Sequence, residues 1–134
     1  MSHYLFVYGT LRRDAQHPMA DCLQQQAQWI GPASYQGKLY KIADYPAVVA
    51  SSNPVDKVYG EVYQLFSADL WSRLDDYEEC SPSFPPPTEY RRLLQTVYLA
   101  DGGEISAWVY LYNRDISGFE VIESGDFLDE ALHL

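Results

Sequence analysis

The stretch Glu104 to Tyr112 carries apolar side chains on both faces of a strand. Ile105, Ala107, Val109 and Leu111 share one side, and Trp108, Tyr110 and Tyr112 share the other. A strand with one wet face alternates apolar with polar residues, so this pattern requires a sheet covered on each side, with a closed barrel as one solution. Tyr90 to Ala100 precedes it across Asp101-Gly102-Gly103, and two runs of β-formers around a short glycine turn read as a hairpin.

The rest of the chain alternates in kind. Tyr4 to Tyr8 is a β-type run that stops at Gly9-Thr10, where glycine permits a tight loop. Met19, Leu23, Ala27 and Ile30 recur at helical spacing after Pro18, which predicts an amphipathic helix ended by Gly31-Pro32. Gln36 to Ile42, Ala47 to Ala50 and Val58 to Leu65 predict three strands, punctuated by Asp44-Tyr45-Pro46 and Ser51-Ser52-Asn53-Pro54. Ser67 is an N-cap for a helix reaching Glu78 or Glu79, followed by a loop from Cys80 to Glu89 with four prolines. An α+β fold follows. A chain of 134 residues, 47% apolar and 15% aromatic, buries one continuous core, so we expect a single domain over residues 1–134. Its acid-rich tail from about residue 115 is partly solvated, with Phe119, Ile122, Phe127 and Leu132 available to dock it.

Charge excludes several partners. Nine Lys and Arg against 19 Asp and Glu leave −10, and the pairs Arg12-Arg13 and Arg91-Arg92 make no basic stripe, so nucleic acid is not an expected partner. The longest apolar runs fall far short of the roughly 20 residues that span a bilayer, and the first residues lack a cationic start and apolar h-region, so neither membrane nor export is expected. Cys22 and Cys80, without a CxxC, read as reduced thiols of a cytoplasmic protein. His3, His17 and His133 are scattered without metal-ligand spacing, and no GxSxG elbow or Cys-His arrangement appears, so no metal site or covalent nucleophile is inferred. Pro85-Pro86-Pro87 reads as a stiff connection, or as a polyproline ligand for a partner module.

One carboxylate departs from the helical pattern. With Leu74 at zero and 100° per residue, Trp71, Leu70 and Tyr77 fall at about +60°, −40° and −60°, and Glu78 at about +40° lies inside that apolar stripe. Asp76 and Glu79 point outward, and Asp75 at about 100° lies on the margin. An inward carboxylate must be paired, hydrogen-bonded or neutral. Either Glu78 pairs with Arg92 or a tyrosine hydroxyl, or the helix has frayed, or Glu78 is a general base whose proton affinity a tyrosine-lined cleft has raised. Backbone N–H groups from Tyr8 to Leu11 form either an ordinary strand-ending turn or a small anion nest.

Taken together, Val7-Tyr8-Gly9-Thr10-Leu11-Arg12, Gly37-Lys38-Leu39-Tyr40 with Tyr45-Pro46, and Leu74-Asp75-Asp76-Tyr77-Glu78 with Tyr90-Arg91-Arg92 resemble the gamma-glutamylcyclotransferase-like family, also called AIG2-like. The resemblance runs from Val7 to Gly125-Asp126-Phe127, and its Leu-Asp-x-x-Glu element looks most like the gamma-glutamylamine cyclotransferase branch. It implies a small mixed β-barrel with flanking helices and a cavity at the end of the first strand. It assigns the catalytic role to Glu78 and substrate binding to Tyr8, Gly9, Thr10 and Leu11, with Tyr90 and Arg92 matching a further Tyr-x-Arg element of the cavity. The implied activity is ring closure of a small-molecule γ-glutamyl compound to 5-oxoproline without a cofactor. The alternatives are a non-catalytic small-molecule binding or regulatory module with the same cavity, and a protein-interaction domain that uses the triple proline or the acidic tail. Family members often carry glycine after the catalytic glutamate, where this chain has Glu79. A second acid there either raises the proton affinity of Glu78 by repulsion or, as the wheel favours, faces water.

Overall fold

A computed structural model describes residues 3–9, 11–12, 18–42, 45–78 and 88–127. Thr10, Glu79, Cys80, Pro85-Pro86-Pro87 and Leu132 lie outside them. The elements run β1 (Tyr4–Val7), α1 (Pro18–Gln26), β2 (Ala27–Tyr35), β3 (Gly37–Ile42), β4 (Tyr45–Ala50), β5 (Val58–Leu65), α2 (Ala68–Tyr77), β6 (Tyr90–Leu99), β7 (Glu104–Tyr112) and β8 (Glu120–Val121).

Five strands close a barrel in the order β1-β5-β2-β6-β7, and β4-β3-β8 form a separate sheet. Closure comes from β1, antiparallel to β5 with Phe6 opposite Val62 and parallel to β7 at Leu5 and Trp108. The barrel is therefore mixed, as expected. The hairpin pairs Tyr90 with Tyr112 and Val97 with Ile105. Its two apolar faces serve two cores. Ala107, Val109 and Leu111 join Phe6, Tyr35 and Val58 in one cluster, while Tyr110 joins Leu5, Tyr63 and the helix residues Leu23, Leu70 and Leu74 in the other. A five-stranded barrel has room inside only for side chains, so the cluster containing the helices marks its outer face. Leu70 and Leu74 are fully buried, each contributing about 1.5–3 kcal/mol of apolar transfer.

The first helix ends sooner than its spacing predicts. Ala27 and Ile30 belong to β2, which runs through Gly31-Pro32. Ala27 pairs with Leu65 and Trp29 with Tyr63, and the register shifts between Trp29 and Gly31, where glycine takes a φ of 152°. That irregularity admits Pro32 within the strand. The second helix follows the sequence reading: the Leu70 N–H donates to Ser67 Oγ at 3.3 Å, and Glu78 is the C-cap. Part of the acid-rich tail is docked, with β8 paired to β3 at Val121 and Tyr40 and Ile122 buried. Phe119 is half-exposed, and Phe127 packs against the first core.

Candidate active site

Where β1 leaves the barrel the chain turns at once, and the Arg12 N–H donates to the Gly9 carbonyl at 3.0 Å. Gly9 is needed for close approach: a Cβ there would lie 2.6 Å from Pro46 Cγ and 3.0 Å from its Cδ. Pro46 is held in turn by Tyr90, whose hydroxyl donates to the Pro46 carbonyl at 2.7 Å. Tyr90 also meets Tyr112 edge-on at 5.4 Å between ring centroids. Thus the hairpin fixes β4, and β4 presses on the turn after β1.

Beside that turn lies a cavity of about 240 Å³. Phe6, Val7, Leu11 and Pro46 supply apolar wall, and Gly9 supplies bare backbone. Four tyrosines, Tyr8, Tyr77, Tyr90 and Tyr110, and two carboxylates, Glu78 and Glu89, complete the lining. The volume is below the roughly 300–1,000 Å³ common for drug-sized ligands, which fits a small metabolite.

The backbone delivers Glu78 to this cavity at the end of α2. Its φ of −84° and ψ of 3° leave the helix, while its N–H still donates to the Leu74 carbonyl at 2.9 Å. The last helical turn therefore holds the residue's backbone and frees the side chain to face the cavity. Tyr8 is buried, and its hydroxyl donates to the Tyr110 carbonyl. Burial raises the Tyr8 phenol well above its ordinary range, the charge of Glu78 pushes the same way, and a hydrogen bond with the Val48 backbone opposes them. Tyr8 therefore stays a neutral phenol with its one proton committed, and it offers the cavity its ring rather than a free donor.

Of the residues singled out from sequence, Tyr8, Gly9, Leu11, Glu78 and Tyr90 line one cavity, and Thr10 is outside the described residues. Arg92 is not in that lining. Its guanidinium pairs with Asp75 through Nε–Oδ1 at 2.9 Å and Nη2–Oδ2 at 3.1 Å, lying 4.6 Å from the Trp71 ring and 4.8 Å from that of Trp108. Arg92 is one candidate partner of Glu78 in the sequence, and the carboxylate it grips is Asp75, which also accepts from the Tyr110 hydroxyl at 2.8 Å. Sequence reasoning missed Glu89, Tyr77 and Tyr110 as lining and Asp75 as an anchor. Glu89 is steadied by the Asn113 N–H donating to its carbonyl at 2.7 Å, and its position beside Tyr90 was the signal available. Among the described residues no group of His, Cys, Asp or Glu suits a metal ion, and no helix is long and apolar enough to cross a membrane.

Comparison with known proteins agrees with this architecture. A family model described as "Gamma-glutamyl cyclotransferase, AIG2-like" matches residues 5–129. The gamma-glutamylcyclotransferase family protein YtfP of Escherichia coli K12 is 35% identical over 128 residues, covering 93% of this chain and 96% of its own. The solution structure of E. coli ytfP superposes with a TM-score of 0.62 at 33% identity, covering 96% and 98% of the two chains. The crystal structure of Bacillus subtilis YkqA gives 0.74 at 27% identity, where 99% of this chain spans 42% of YkqA. A mouse AIG2-like protein, 23% identical with a TM-score of 0.64, shares the fold. The chain belongs to the gamma-glutamyl cyclotransferase, AIG2-like family.

Proposed function

We propose that this protein is a cyclotransferase that cleaves a γ-glutamyl amine or related γ-glutamyl compound, releasing 5-oxoproline and the free amine. The observation that carries the reading is the shared cavity of Glu78 and the turn at Gly9. In the reaction the substrate's α-amine attacks its own γ-carbonyl. A five-membered ring closes through a new C–N bond, and the bond to the departing amine breaks. Nucleophile and electrophile belong to one molecule, so folding the substrate into reach can contribute about 7–11 kcal/mol. What remains is proton transfer. The α-ammonium must lose a proton to attack, and the departing amine must gain one.

Glu78 takes the first proton as base and returns one as acid, a role typically worth about 10²–10⁴-fold. Backbone N–H groups between Tyr8 and Leu11, Thr10 included, hold the substrate's α-carboxylate, since a nest of amides binds an anion even on an acidic protein. Tyr8 and Tyr90 enclose the substrate with their rings, because each hydroxyl already donates to a backbone carbonyl. Arg92 acts at one remove through Asp75, which precedes Glu78 by one helical turn. No cofactor enters this scheme. We take residues 1–134 to act as one domain in the cytoplasm.

The test is incubation with a panel of γ-glutamyl amines and γ-glutamyl amino acids, with 5-oxoproline read by chromatography. Product from one or more compounds, abolished by Glu78→Gln, is the expected result. No product across the panel would contradict the reading.

A further inference from the structure

The turn that borders the cavity is tied to the far end of the chain. Arg12 closes that turn through its N–H on the Gly9 carbonyl, and its guanidinium, which is not among the groups lining the cavity, donates to Asp126 with Nη1–Oδ1 at 2.6 Å. On its other side Arg12 Nε lies 3.6 Å from Oε2 of Glu61, a carboxylate in β5 whose side chain is 7% exposed. One largely buried cation thus joins the turn after β1, the barrel wall and the C-terminal segment.

Asp126 does not reach Arg12 by chance of a loose tail. The Ile122 N–H donates to the Leu39 carbonyl at 2.7 Å, and the Gly125 N–H to the Ile122 carbonyl at 3.0 Å. The Tyr59 N–H donates to the Gly125 carbonyl at 2.8 Å. Gly125 has a φ of 69°, and a Cβ on it would sit 2.0 Å from the carbonyl oxygen of Lys57, just before β5, so this close seating requires glycine. Two backbone anchors and a glycine set the carboxylate of Asp126 immediately after them.

We propose that Asp126, acting through Arg12, is a positioning residue for the turn at Gly9 to Arg12, so that the C-terminal segment sets the geometry of the substrate-binding loop. The physical reason is that a short turn outside the helices and strands, here closed by the Arg12 N–H on the Gly9 carbonyl, opens locally more easily than the barrel beside it, so its stiffness depends on what else holds it. A charge-assisted hydrogen bond from its last residue to a rigidly held carboxylate supplies that stiffness. Displacing amides that hold a ligand weakens binding without touching the proton-transfer group.

The test compares Asp126→Asn, which removes the charge at nearly constant shape, with Asp126→Glu, which keeps it. Amide hydrogen exchange is followed at residues 9, 11 and 12 and, as a control, in the β6–β7 hairpin. Asp126→Asn is expected to speed exchange in the turn about tenfold with the hairpin unchanged, and Asp126→Glu to stay near wild type. The kinetic arm rests on the cyclotransferase reading: with a turned-over γ-glutamyl compound, Asp126→Asn should raise KM about tenfold while kcat stays within about twofold. Unchanged exchange in the turn, or a uniform rise across the barrel, would overturn the proposal. If no γ-glutamyl compound is turned over, faster exchange confined to the turn still upholds the clasp, and only the cyclotransferase reading falls. Arg12→Lys provides a second route, expected to loosen the turn in the same way, whereas Arg12→Ala would also remove the cation beside the buried Glu61 and risks unfolding.

Discussion

Arg92 grips Asp75 with two hydrogen bonds of 2.9 and 3.1 Å while lying between the rings of Trp71 and Trp108. The pair is three-quarters or more shielded, with side-chain exposures of 25% and 19%, so solvent screens it only in part. Asp75 receives a third hydrogen bond from the Tyr110 hydroxyl, and Tyr110 itself lines the cavity. The last turn of α2, which carries Glu78, is thereby fastened to the hairpin. Replacing Arg92 with Lys keeps the charge but loses the planar fork and its stacking. The expected outcome is a loss of about 1–2 kcal/mol in denaturant-midpoint stability together with a fall in kcat that exceeds any change in KM. A kcat equal to wild type would separate this network from the active site.

Tyr8 makes stability sensitive to alkali. Its folded phenol is raised well above the ordinary value of 10.0, chiefly by burial and next by the charge of Glu78. Below pH 10 both folded and unfolded chains hold the proton, and the contribution is complete. As pH climbs above 10 the unfolded chain releases it first, so stability declines toward the folded pKa. Tyr8→Phe should cost about 1–2 kcal/mol at neutral pH by leaving the Tyr110 carbonyl without this donor, yet show a flatter decline above pH 10. Urea unfolding at a series of pH values measures both effects.

The contact of Gly9 with Pro46 gives a test by suppression. Gly9→Ala introduces a carbon 2.6 Å from Pro46 Cγ, which forces the turn and β4 apart at a cost of about 1–3 kcal/mol and raises KM. Pro46→Ala removes the clashing Cγ while retaining the carbonyl that accepts from Tyr90. The double variant should therefore be more stable than the sum of the two single changes implies. Additive losses in a double-mutant cycle would mean that the contact does not limit the turn.

What the sequence could reveal followed the range of the forces involved. The two apolar faces of Glu104–Tyr112 report burial on both sides of the sheet, and those faces join two separate cores. The inward lean of Glu78 was visible because a helix repeats over a few residues, and that side chain lines the cavity. Ala27 and Ile30 continued the spacing of Met19 and Leu23, so nothing local ended α1; pairing of Ala27 with Leu65 and Trp29 with Tyr63 did, from over thirty residues away. Asp75 looked marginal on the wheel for the same reason, since Arg92 and Tyr110 come from the hairpin. The link of Arg12 to Asp126 spans nearly the whole chain, and no periodicity records it.

Glu78 is the residue on which the account turns. The most direct measurement is single-turnover formation of 5-oxoproline from a γ-glutamyl amine by wild type and Glu78→Gln, with substrate binding measured in parallel by calorimetry. Glu78→Gln is expected to bind within a few-fold of wild type and to turn over about 10²–10⁴-fold more slowly. Turnover by Glu78→Gln at the wild-type rate would contradict it.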